Sequence, residues 1–186
     1  MDGDVLDRAI LFATKAHAGM VRKDGAPYIL HPLEDMTIVG TMTTDREVLA
    51  AAVLHDVIED TDVTEGTLRE EFGDRVTDLV LSETENKREN LPKKDTWKIR
   101  KEESLASLKG APIEEKMLWL GDKLSNIRGL KRMYDKMGQE VFSLFNVTDP
   151  ALHKWYYGVI LTYLTDLQCY PAYRELDSVY HDVFDA

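Results

Sequence analysis

A chain of 186 residues, 44% apolar and 31% charged, is long enough for one domain with a sizeable core and has no apolar run of the roughly 18 residues a membrane span needs. A net charge of -11 repels the phosphates that supply most nucleic-acid affinity, so neither DNA nor RNA is an expected partner. The acidic start MDGDVLDRAI lacks the basic and apolar stretches of a secretory signal, and the single Cys169, in an apolar and aromatic stretch, reads as a small buried side chain, so the expected compartment is cytoplasmic.

Apolar residues recur at helical spacing from the start, as in Val5, Ile10, Leu11 and Ala13, and period-two β-branched runs are nearly absent, which predicts an all-α fold. In chain order the expected helices span about 4–18, 32–42, 46–58, 65–71, 74–82, 95–108, 113–135, 150–167 and 173–184. The stretches 19–32, with Lys23-Asp24-Gly25-Ala26-Pro27, and 83–94 read as loops. Thr64, and Asp95 or Thr96, read as N-caps, and Gly110-Ala111-Pro112 breaks the chain before the longest helix. No repeat or composition shift divides the chain, so one domain over 1–186 is expected, its last helices completing the bundle. The segment 87–101 holds seven basic residues against Glu89 and Asp95, a local +5 that leaves -16 elsewhere. Such a stretch is a solvated connector or one cationic wall of a site for a small, highly charged anion.

The segment Ala50-Ala51-Ala52-Val53-Leu54-His55-Asp56-Val57-Ile58-Glu59-Asp60-Thr61 runs from small aliphatic residues into four ionisable ones. On a helix His55 and Glu59 share one face, and Asp56 and Asp60 the adjoining strip. If buried, these acids repel one another and lose hydration, which a divalent cation offsets; at an exposed helix end they simply face water. His31, before Pro32 at a helix entrance, and Asp122, amid apolar neighbours and needing Lys123 or a metal as partner, add to the set. His31, His55, Asp56 and Asp122 make a mixed nitrogen and oxygen donor group suited to manganese, iron or zinc and to hydrolysis.

These segments together resemble the HD superfamily, and within it the hydrolase domain of RelA/SpoT-type enzymes and their stand-alone small alarmone hydrolase relatives. The resemblance rests on Ala16-His17-Ala18-Gly19, Arg22-Lys23-Asp24-Gly25, Pro27-Tyr28-Ile29-Leu30-His31-Pro32-Leu33, Leu54-His55-Asp56 with Glu59-Asp60-Thr61, Phe72-Gly73, and Leu120-Gly121-Asp122-Lys123-Leu124-Ser125-Asn126-Ile127-Arg128, covering roughly 5–135. It implies His31, His55, Asp56 and Asp122 as ligands of one divalent metal, usually Mn2+. Glu59 and Asp60 match the family's paired acids, which position or activate the attacking water and manage the leaving group's proton. Arg22 matches the residue that stacks on guanine, Lys23 is its cationic neighbour, and Asn126 a nucleotide contact. Lys98, Arg100 and Lys101, beside Trp97, fall where relatives place cationic substrate contacts, and Tyr156 falls where an aromatic approaches the nucleotide or packs in the core. His153 and His181 read as structural or surface residues.

The implied activity is removal of the 3′-pyrophosphate from guanosine tetra- and pentaphosphate, giving GDP or GTP. Only hydrolysis is expected, as no synthetase domain follows the last motif. The alternatives are a related phosphohydrolase acting on another nucleotide such as NADPH, and a non-catalytic nucleotide sensor. Ser125, Gly121 and Gly129 depart from the pattern of the long bifunctional enzymes, which usually carry His at the Ser125 position.

Overall fold

The computed structural model describes residues 3–86, 88 and 90–185, Lys93 through its backbone only. Lys87, Glu89 and the Lys93 side chain, parts of the basic segment, lie outside the described residues. The chain is all-α: α1 Val5–Ala16, α2 Leu30–Val39, α3 Arg46–Leu54, α4 Val57–Asp60, α5 Glu65–Glu83, α6 Lys93–Lys109, α7 Ile113–Met137, α8 Pro150–Tyr163 and α9 Pro171–Phe184, with 3₁₀ turns at Gly138–Leu144 and Thr165–Leu167. No helix among the described residues is long and apolar enough to cross a membrane.

The helix starts follow local chemistry. Asp4, Asp45, Thr64 and Asp149 each accept a backbone N–H in the first turn of α1, α3, α5 and α8, satisfying donors a bare start would leave unpaired. The α6 start lies earlier than the sequence suggests: the helix opens at Lys93 after Pro92, which puts Asp95 in its first turn rather than at the cap. There an acid favours the positive end of the helix. Gly73, at φ 81°, kinks α5 where the sequence suggests two helices, a backbone conformation costly for any side chain with a Cβ. The expected helix at 150–167 ends at Tyr163, and Cys169 is exposed rather than buried. The 3₁₀ turn rotates the strip inward at Leu167 and leaves Cys169 in the outer turn before α9.

α7 is the axis of the bundle, packed most extensively against α2 and α9, while α3 packs on α1. Its fully buried Leu118, Leu120, Leu124 and Ile127 meet the apolar run Ala50 to Leu54 of α3 in one core. Each such leucine contributes roughly 1.5–3 kcal/mol by leaving water. The approach of α2 to α7 depends on Gly121: a Cβ there would stand 2.0 Å from Asp35 Oδ1 and 2.7 Å from Val39 Cγ2. Both of those side chains are fully buried, so little room exists for them to yield. Gly121→Ala is therefore expected to lower unfolding free energy by about 1–3 kcal/mol in denaturant titration, the range for overpacked cores. Wild-type stability in that variant would mean the two helices separate freely.

Candidate metal centre

Three elements converge on one point. His31 occupies the first turn of α2, fixed by the following Pro32; His55 and Asp56 occupy the junction between α3 and α4; Asp122 lies mid-way along α7. The single helix expected over 46–58 is interrupted between Leu54 and Val57, so His55 and Asp56, consecutive in sequence, both turn to the centre. Asp60 still donates its N–H to the Asp56 carbonyl (2.9 Å), keeping it one turn beyond.

At the centre His31 Nε2 is 3.2 Å from His55 Nε2, 3.4 Å from Asp56 Oδ2 and 3.1 Å from Asp122 Oδ1; His55 Nε2 is 3.1 Å from Asp56 Oδ2. The far side of each ring fixes its tautomer. His55 Nδ1 donates to the Ala52 carbonyl (2.7 Å), with the buried Asp35 carboxylate at 3.0 Å. His31 Nδ1 meets Ser125 Oγ (2.8 Å), whose hydroxyl donates to Glu34 (2.8 Å) and so can only accept from His31. In the neutral rings both Nε2 atoms therefore carry lone pairs aimed at each other and at two carboxylates, an arrangement that requires a positive charge between them. A divalent cation fits it, and the atoms of His31, His55 and Asp122 that would hold it lie within 4.8 Å of one another.

Protons are the competing occupants. Burial disfavours the charged imidazoles, but Asp122 and Asp56 outweigh it at His31, and Asp56 and Asp35 at His55, so both pKa values are raised, that of His55 strongly. Burial likewise disfavours the Asp56 and Asp122 carboxylates, yet His55 and His31 pull Asp56 well below its usual range, and Lys123 with His31 does the same for Asp122. Burial pushes Asp35 up to about 6.

A shell of further groups surrounds the donors. The Tyr28 hydroxyl lies 2.6 Å from both Asp56 Oδ2 and Asp60 Oδ2, tying a ligand to an acid through one proton. Lys123 pairs with Asp122 and lies over Trp119, 4.7 Å from the ring centre, so Asp122 has its lysine partner as well as the imidazole side. Asn126 donates from Nδ2 to Asp122 (2.5 Å) and accepts at Oδ1 from Arg22 (2.9 Å). Glu59 accepts the Glu85 N–H at 2.5 Å, and Glu85 holds Arg100 (2.6 Å) and Lys101 (2.7 Å). Behind His31 the chain Ser125–Glu34–Arg128–Glu175 runs outward to α9. Ser125, the departure from the long enzymes' pattern, is thus a direct partner of His31, one of the candidate donors.

Two cavities share this site. A polar one of about 210 Å³ is lined by the four donors with Glu59, Glu83, Arg100, Lys101 and Lys123. A second, of about 310 Å³, is lined by Arg22, Lys23, Leu130, Phe145 and Tyr157, and Tyr28 and Asn126 border both. The structure thus brings together ten of the anticipated residues: the four donors, Glu59, Arg22, Lys23, Asn126, Arg100 and Lys101. Asp60 is joined to the group through Tyr28. Lys98 is 64% exposed on the outer strip of α6 beside Glu102, away from both cavities. Tyr156 is buried behind Lys101, whose ammonium is 4.9 Å from its ring centre, and Tyr157 faces the second cavity instead. His153 is buried and bonded to the Val147 carbonyl, His181 exposed and paired with Asp185. Sequence reasoning passed over Asp35, Glu83, Glu34 and Tyr157. Asp35, one turn beyond His31, had a signal in its burial strip; Glu83 lay in a stretch read as loop.

Bundle and donor set define a helical domain built around a cluster of residues able to hold a metal ion. The chain belongs to the HD domain family, whose model matches residues 9–147. It is 36% identical over 157 residues to the guanosine-3′,5′-bis(diphosphate) 3′-pyrophosphohydrolase of Aquifex aeolicus (81% of this chain, 22% of that protein). It is 30% identical over 173 residues to a GTP pyrophosphokinase of Myxococcus xanthus (89% and 22%), so the chain spans about a fifth of the length of these bacterial relatives. In structure it is similar to a Listeria monocytogenes EGD-e protein, with TM-score 0.73 and 32% identity over 84% of this chain and 99% of that one. It shares its fold with a metazoan ortholog of SpoT that hydrolyses ppGpp, TM-score 0.77 at 24% identity, covering 98% and 97% of the two chains.

The raised imidazole values set a pH dependence. A raised folded-state pKa contributes stability that is present below the unfolded value of about 6.5 and is lost as pH rises through the folded value. Without metal, the melting temperature is expected to fall as pH rises above about 6.5, while the gain on adding Mn2+ grows because fewer protons must leave. A gain independent of pH in thermal melts would contradict protonated imidazoles in the metal-free centre.

Proposed function

We propose that this chain is a cytoplasmic Mn2+-dependent hydrolase that removes the 3′-pyrophosphate of guanosine tetra- and pentaphosphate. The observation that carries the reading is the junction of the two cavities. A donor cluster suited to hydrolysis adjoins, across Tyr28 and Asn126, a space of about 310 Å³ walled by a guanidinium and aromatic rings. Such a pair of spaces matches a purine nucleoside with a pyrophosphate on one edge. The names of the bacterial relatives point to the same substrate.

When bound, the cation lowers the pKa of water and neutralises phosphate charge. The rest falls to side chains. Arg22, held by Asn126 and 6.0 Å from the Tyr28 ring centre, offers its plane to the base, and Lys23, bonded to the Leu144 carbonyl, closes the rim. Lys123, Arg100 and Lys101 bring positive charge to the phosphate side of the polar cavity, with Lys98 adding to the field outside. Asp60, fixed by Tyr28, and Glu59, fixed by the Glu85 amide, are the proton-handling pair: one takes the proton of the attacking water, the other supplies one to the departing ribose oxygen. Tyr156 supports Lys101 through its ring.

The test is to incubate the Mn2+-loaded protein with guanosine tetraphosphate, guanosine pentaphosphate and NADPH and to follow pyrophosphate, phosphate and nucleotide products. Pyrophosphate with GDP or GTP is expected; phosphate from NADPH alone would move the substrate, and no turnover would leave a sensor. Asp56→Ala is expected to lose bound metal and turnover together. Tyr28→Phe, which removes a hydrogen bond to charged groups worth about 1.5–3 kcal/mol, is expected to lower kcat by roughly 10- to 100-fold.

A further inference from the structure

Glu83 closes α5 on the wall of the polar cavity, among the donors of the metal centre. Both its carboxylate oxygens are shut off from solvent, and neither has a hydrogen-bond partner among the described residues. Glu85, two residues on, shows what a satisfied acid looks like here, with Arg100, Lys101 and Ser104 around it. The cation on Glu83's own wall, Lys123, is committed to Asp122 and the Trp119 face. A buried, unpaired carboxylate is unfavourable unless positive charge meets it, and Glu83 is one of the residues that line the cavity.

The donor atoms of His31, His55 and Asp122 lie within 4.8 Å of one another, and Glu83 stands outside that group. The cavity of about 210 Å³ has room for a cation and several waters of roughly 30 Å³ each. Lys123 already neutralises part of Asp122, which leaves the ligand carboxylates short of the charge a divalent ion calls for.

We propose that Glu83 is an outer-sphere acid of the metal centre: its carboxylate accepts hydrogen bonds from water carried by the cation and adds one negative charge to the site's hold on it. The inference rests on the metal-centre reading above and is independent of which nucleotide is cleaved.

Glu83→Gln keeps the shape and removes the charge. Mn2+ titrated calorimetrically into the chelator-treated variant is expected to bind about tenfold or more weakly than to wild type, the range for lost outer-shell partners. The metal-free variant is expected to melt no lower than wild type, since Gln keeps the shape and Glu83 makes no hydrogen bond among the described residues that the change would break. Unchanged Mn2+ affinity overturns the proposal. So does a lower metal-free melting temperature, which would make Glu83 a structural partner. His55→Ala run alongside separates the two levels: if it abolishes Mn2+ binding while Glu83→Gln leaves it intact, only the role of Glu83 falls, and if it too binds Mn2+ normally, the metal centre itself falls.

Discussion

Two imidazole nitrogens with lone pairs inward and two carboxylate oxygens are held within a few ångströms of one point, and the architecture around that point exists to keep them there. No packing of apolar groups offsets such a concentration of negative potential; only protons or a cation do. The raised imidazole and depressed carboxylate values are the proton solution to this constraint. A metal replaces it when pH or ion concentration allows.

The scaffold meets the constraint by approaching closely where the donors are. α7 brings Asp122 into the core because Gly121 lets α2 lie against it, and the same contact places Asp35 behind His55. The break between α3 and α4 lets two adjacent residues face one way, which an unbroken helix would prevent. Each histidine of the cluster is then locked by a partner on its far nitrogen, a backbone carbonyl for His55 and the serine of an outward polar chain for His31. Orientation of this kind is what makes a metal-ligating ring a predictable base or ligand.

Charge is distributed with the same economy. The chain as a whole is strongly acidic, yet its cavity walls carry Arg22, Lys23, Arg100, Lys101 and Lys123, several paired with acids that hold them in place. A pocket so lined presents a concentrated positive field inside a chain whose net charge is negative.

Much of this was legible in the sequence. Helical periodicity gave the all-α class, the division between the expected helices at 65–71 and 74–82 falls at Gly73, whose positive φ kinks α5, and the ordered motifs of the family resemblance singled out His31, His55, Asp56 and Asp122, which the fold brings together. What tertiary structure decided were relations between distant segments. Glu83, the first residue of the stretch that read as loop, comes to the cavity as the last residue of α5. Lys98 turns out to water while Lys101, on the strip with Trp97 and Ser104, turns in, a choice made by how α6 rolls against α8. The serine behind His31 and the glycine beneath Asp35 acquire meaning only when α2 and α7 touch. Local periodicity determines which residues share a face, but which face meets which is set by packing across the whole chain, and that was beyond the reach of the sequence by itself.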